Sequence, residues 1–164
     1  MNNITKYAHY NKWANETLLN IIEREIDETK LDTPIVSSFP TLRKTIYHIW
    51  DAENIWLKRL KGESLMEWPS KNFTGNFVEA KEMFLQHNDA FSNYIGKLSE
   101  EKLNENFTYK NVEGKTFTNP IWESVHHCLN HSTYHRGQMV TMLRQLGLNA
   151  ISSTDFITYC RIMS

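Results

Sequence analysis

His131 and His135 stand four positions apart in the stretch HSTYHRGQ, residues 131–138. That spacing puts both imidazoles on one side of one helix. Two imidazoles so placed can serve a single metal ion, as in the metallopeptidase helix, where a glutamate follows the first histidine. Here Ser132 occupies that place, so the protease chemistry does not transfer. The pair supplies two donors, and a usable site needs a third from a segment facing this helix. His48, on the flank of an apolar stripe through Ile46 and Ile49, is the leading candidate. A packing role stays open at this point. An imidazole that interrupts an apolar face can instead bond a carbonyl or a tyrosine hydroxyl, because unpaired buried nitrogens are costly.

Neighbouring residues are read for supporting roles. His127 lies one turn before His131, but each step of four drifts about 40° around a helix. It is placed beside the pocket and not as a fourth ligand. Gln138, three positions after His135, can hydrogen-bond a metal-bound water or act as an ordinary bundle glutamine. Cys128 is read as a small core filler, and Tyr134 and Arg136 as packing, dimer-contact or pocket-rim residues. Asp51, Glu53 and Glu123 lie near the same layers and are taken as solvated helix carboxylates. His9, His87 and His126 have no useful partner spacing. Gly137 should cost about 1 kcal/mol relative to alanine inside a helix, which suggests another helix approaches there.

The elements that must carry these residues are mostly helices. Tyr7, Tyr10, Trp13, Ala14, Thr17, Leu18, Ile21 and Ile22 recur at three-and-four spacing and predict a first helix over about 5–26. LDTPIVSSFP breaks the pattern with Pro34 and Pro40, and the Ser37-Ser38 pair can cap the next helix, expected over 41–60. Gly62 suits a left-handed cap after it. A third helix is expected from Phe77 to Leu98 on an aromatic stripe. NENFTYKNVEGKTFTN, residues 104–119, reads as a short hairpin or extended crossover with its turn at Glu113-Gly114. Asn119 as N-cap and Pro120 in the first turn start a fourth long helix, which Gly147 stops after Leu146. Ser153 or Thr154 caps a short C-terminal helix through Tyr159. The economical architecture is an all-α, up-and-down helical bundle in one domain over 1–164. The five tryptophans, Trp13, Trp50, Trp56, Trp68 and Trp122, are expected in core and pocket wall.

The totals narrow the function classes. In 164 residues, 18 basic and 19 acidic side chains nearly cancel, and this balance lacks the positive field that phosphate backbones require. Nucleic acid is not an expected partner. No apolar run reaches the roughly 20 residues of a membrane span, and MNNITKYAHY has no signal-peptide pattern. Two cysteines are too few for a disulfide scaffold and fit a reducing, cytoplasmic setting.

The pieces YNKWANETLL, TLRKTIYHIWDAENIWLKRLKGE and HHCLNHSTYHRGQMVTMLRQLG, in this order and with the closing TDFITY, resemble the DinB family of bacterial proteins. This is the damage-inducible DinB/YfiT-like group of metalloenzymes, distinct from the DNA polymerase that shares the name. The resemblance implies an up-down-down-up four-helix bundle, commonly a homodimer, with a divalent metal held by three histidines. Carried over by position, those ligands are His48, His131 and His135. Zinc or nickel is the expected ion, with iron and others also compatible with imidazole. Related branches include thiol-dependent S-transferases and a maleylpyruvate isomerase, so the expected function is metal-dependent chemistry on a small molecule. A thiol transferase or a hydrolase is expected. The rival expectation is a stress-response protein that binds metal without catalysis, motivated by the absence of an evident general base.

Overall fold

The computed structural model describes residues 3–63 and 67–163. Four long helices form the frame: α1 (Asn3–Glu25), α2 (Leu42–Leu60), α3 (Phe77–Gly96) and, after a single-turn α4 (Glu100–Asn104) and a hairpin, α5 (Ile121–Gln145). A short α6 (Phe156–Ile162) closes the chain. Among the described residues, no helix is long and apolar enough to cross a membrane.

Local chemistry explains where each helix starts. Thr41 caps α2, its hydroxyl accepting from the Lys44 N–H at 3.2 Å, so the Ser37-Ser38 pair does not have that role. A reciprocal capping box opens α3: Asn76 Oδ1 accepts from the Glu79 N–H, and Glu79 Oε2 from the Asn76 N–H. The hairpin pairs β1 (Asn106–Lys110) with β2 (Thr116–Pro120) antiparallel, and Gly114 takes the turn at φ +80°. Because β2 runs through Pro120, Asn119 belongs to the strand and does not cap α5. Pro120 stands at the N-cap with no side-chain bond, and the Asn119 amide donates to Glu123 Oε2 at 2.9 Å. Asp155, and not Ser153 or Thr154, occupies the N-cap of α6, its own N–H held by the Ser153 hydroxyl.

Helix directions follow from two apolar layers. One joins Leu18 and Ile22 of α1, Leu42, Ile46 and Ile49 of α2, Phe77 and Phe84 of α3, and Met139 and Met142 of α5. The other joins Ala8, Leu57 with Leu60, Phe91 with Ile95, and Ile121 with Val125. Moving from the second layer to the first, α1 and α5 run forward while α2 and α3 run backward, which is the up-down-down-up order. Helix α1 packs on α3 and α5, and α2 packs on α5 and α3. Each fully buried Leu, Ile or Phe in these layers contributes about 1.5–3 kcal/mol by leaving water.

Between the layers lies a wholly buried polar belt. Glu53 of α2 is 0% exposed, and its carboxylate accepts from Asn11 Nδ2 (2.7 Å), Asn15 Nδ2 (3.1 Å), the Ser132 hydroxyl (2.6 Å) and Asn88 Nδ2 (2.5 Å). Arg136 of α5, 2% exposed, donates to Asn11 Oδ1, Asn15 Oδ1 and Thr133 Oγ1. One negative and one positive charge are thus bridged by two asparagines, which compensates two desolvations that neither charge could sustain alone. Glu53 is therefore no solvated carboxylate. Asp51 is also buried, with both oxygens taken by the Ser70 N–H and hydroxyl, while Glu123 is exposed. The expected close approach at Gly137 is missing among the described residues: a Cβ built there meets none of them within 4 Å.

Candidate metal centre

His48 comes from the second turn of α2, and His131 with His135 from the middle of α5, the helix packed against it. The three imidazoles meet on the flank of that helix pair. One ring nitrogen of each lies within 4.8 Å of the others, and the Nε2 atoms of His48 and His131 are 2.9 Å apart. Ring centroids are separated by 4.8 Å for His48 and His131, 4.7 Å for His48 and His135, and 4.5 Å for His131 and His135. The sequence places His131 on the interior stripe, but the structure leaves it half-buried at the edge. Ser132 takes the interior position of that turn and bonds Glu53.

Electrostatics keep the cluster uncharged. Burial, reinforced by His135, pushes His48 down to about 4. Burial and then the imidazoles of His135, His48 and His127 bring His131 to about 4 as well. Burial also lowers His135, against a raising contribution from its bond to Gln138. Neutral imidazole is the state that donates a lone pair to a metal. Gln138 supplies a second element of such a site: its Oε1 accepts from His135 Nδ1 at 2.7 Å, and its Nε2 donates to Ser38 Oγ at 2.7 Å. That bond places the proton on Nδ1 and turns the Nε2 lone pair toward the other two rings. His131 Nδ1, by contrast, is buried without a hydrogen-bond partner among the described residues. The donor set and the neutral state of its members fit a divalent ion of the imidazole-preferring kind.

The connection between α1 and α2 covers one side. Phe39 lies on His48 at 4.2 Å between ring centroids and reaches His135 at 5.6 Å, and the Ile35 N–H bonds the Pro40 carbonyl to fold the segment back. On the other side is His127, exposed, 6.2 Å from the His131 ring and 5.2 Å from Trp56. The structure thus puts His127 beside the cluster. Tyr134 is exposed with its ring 5.0 Å from His135, Arg136 belongs to the buried belt, and Cys128 is fully buried with its thiol pushed up by desolvation. Trp50 is core and Trp56 lines a cavity with His127, but Trp122 is 38% exposed beside His126.

A family model described as "DinB family" matches residues 1–161. The chain belongs to the DinB family. Among curated proteins it is similar to "Protein DinB" of Bacillus subtilis (strain 168), 26% identical over 161 residues, which covers 94% of this chain and 91% of that protein. A DinB-like protein from Bacillus cereus superposes with a TM-score of 0.68 at 19% identity, over 88% of this chain and 91% of the other. A DinB-like protein from Bacillus subtilis gives 0.71 at 12% identity, over 94% and 99%. At those identities the likeness speaks for the DinB fold. Sequence reasoning missed Phe39, Ser38 and the buried role of Glu53 and Arg136. Only the last two left a signal: both fall on the apolar stripes of their helices.

Proposed function

We propose that His48, His131 and His135 hold one divalent metal ion and that this centre acts on a small molecule. The observation that carries the reading is the convergence of three uncharged imidazoles, one of them oriented by Gln138. Three protein donors leave coordination positions free, the arrangement of catalytic rather than structural sites. When bound, such an ion supplies Lewis-acid chemistry, lowering the pKa of a thiol or a water so that either becomes a nucleophile near neutral pH. The substrate class is a low-molecular-weight thiol with its electrophile, or a hydrolysable bond.

The chain's own residues divide the remaining work. Gln138 holds the His135 tautomer, Phe39 shields His48 and His135 from solvent, and His127 with Trp56 borders the approach to His131. Zinc and nickel suit the all-imidazole donor set best, followed by iron. Self-association into a homodimer has an apolar surface to use in Phe156, Ile157, Ile162 and Met163, all exposed on or just after α6.

A second reading is a metal-binding stress-response protein that turns nothing over. It is favoured by one observation: among the described residues no carboxylate joins the histidine cluster, since Asp51 is engaged by Ser70 and Glu53 by the belt. Elemental mass spectrometry on tag-free protein, with His48→Ala alongside, tests the metal. About one ion per chain, lost in the variant, is expected; no metal in either returns the histidines to a packing role. Turnover in a thiol-conjugation screen then separates the two readings.

A further inference from the structure

His127, whose ring lies 6.2 Å from that of His131, also borders a cavity of its own. Trp56 packs edge-on against Tyr109 of β1 at 5.1 Å, and these rings, with His127, Asn119, Glu123 and Ser124, border a cavity of about 320 Å³. Over the same two rings lies the Arg59 guanidinium, its Cζ 4.7 Å from the Trp56 centroid and 5.5 Å from that of Tyr109. Arg59 is half-buried, yet it has no hydrogen-bond or ion-pair partner among the described residues. The other arginines that are at least partly buried are paired: Arg43 with Asp32 and Glu28, Arg136 with Asn11 and Asn15.

The Arg59 guanidinium is partly covered but still reaches solvent, so its donors are free to take a ligand; partial burial lowers its proton affinity, against a raising contribution from Tyr109. Cation–π contact with two rings inclined at 65° holds the guanidinium beside them, and its donor fork matches a carboxylate with two parallel hydrogen bonds. One guanidinium suits one negative charge. The aromatic walls suit an apolar body next to it.

We propose that Arg59, Trp56 and Tyr109 form a subsite for an aromatic or apolar carboxylic acid, its carboxylate at the Arg59 guanidinium and its apolar body in the adjoining cavity that Trp56, Tyr109 and His127 border. Glu123 also borders the cavity, with Oε2 engaged by the Asn119 amide, and its charge favours a ligand whose carboxylate sits at Arg59 and away from it. The subsite deepens the small-molecule reading of the histidine centre and rests on it for its catalytic meaning, while binding itself needs no metal.

Calorimetric titration of the chelator-treated full chain with benzoate, and with the neutral isostere benzamide, tests the subsite. Benzoate is expected to bind at least tenfold more tightly than benzamide in the wild type and equally in His48→Ala. Arg59→Gln is expected to erase that preference and Arg59→Lys to keep part of it, with helical circular dichroism retained in both. No benzoate binding, equal binding of the two probes, or a preference that survives Arg59→Gln overturns the subsite. Because His48→Ala removes the metal centre and leaves Arg59 in place, loss of metal and loss of benzoate binding are read separately.

Discussion

The Nε2 atoms of His48 and His131 lie 2.9 Å apart although 83 positions separate the residues in sequence. At that distance one ring donates and the other accepts, or both aim lone pairs at a shared ion; two protonated rings cannot coexist there. The folded chain therefore resists protonation at both sites, which are lowered to about 4 from an unfolded value near 6.5. Between those limits the unfolded state binds more protons, so stability is full above about pH 6.5 and is lost as pH falls toward 4. Urea titrations of chelated protein at pH 7 and pH 5 should show the lower midpoint at pH 5. His131→Ala should flatten the dependence, and an unchanged slope in that variant would refute the coupling.

Gln138 fixes the tautomer of His135 while Ser38 fixes Gln138. Removing such an orienting partner typically lowers metal affinity 10–100-fold while leaving the ligands in place. Gln138→Leu is therefore expected to weaken zinc binding by about that factor, with thermal stability near wild type because the side chain is only partly buried. Competition against a chromogenic chelator measures it, and affinity within twofold of wild type would assign Gln138 to packing alone.

Gly137 carries an expectation that the structure reverses. Its position inside α5 faces open space, so the missing side chain serves no close approach. Gly137→Ala should stabilise the chain by about 0.5–1 kcal/mol through lost unfolded-state freedom and better helix propensity. Thermal unfolding gives the sign directly, and a lower midpoint would mean that something outside the chain occupies that face.

The helices were legible because long three-and-four stripes survive local irregularity, and His131 with His135 because they share a helix face; the up-down-down-up order and the settled choice of His48 as third member came with the resemblance to the DinB family. The polar belt was harder to see. Asn11 and Asn15 interrupt the run Ala8, Leu18 and Ile22; Glu53 falls between Ile49 and Leu57; Asn88 between Phe84 and Phe91; Ser132 and Arg136 between Leu129 and Met139. Each breaks an apolar stripe, but alone none of them says which partner it meets. Only the layer-by-layer alignment of four helices shows that all six meet. Cap identities at Thr41, Pro120 and Asp155 were displaced by one to four residues, since several neighbouring side chains could serve and tertiary packing chooses among them. Phe39 was not legible at all, because its contact with His48 depends on how an aperiodic connection folds back.

Glu53 is the residue on which that belt converges, and its loss has a predictable asymmetry. Glu53→Leu removes the acceptor for four donors and leaves Arg136 buried without its compensating charge. Breaking one side of a buried charge pair costs about 3–5 kcal/mol, a large part of the stability of an ordinary domain. Glu53→Gln keeps the shape and one acceptor oxygen but still strands the guanidinium, so it should also be strongly destabilising. Pairing Glu53→Leu with Arg136→Met removes both charges and should recover much of the loss. Chemical denaturation of the two single variants and the double variant measures the coupling. A double variant no more stable than Glu53→Leu would show that the belt acts through its asparagine and serine bonds rather than through charge compensation.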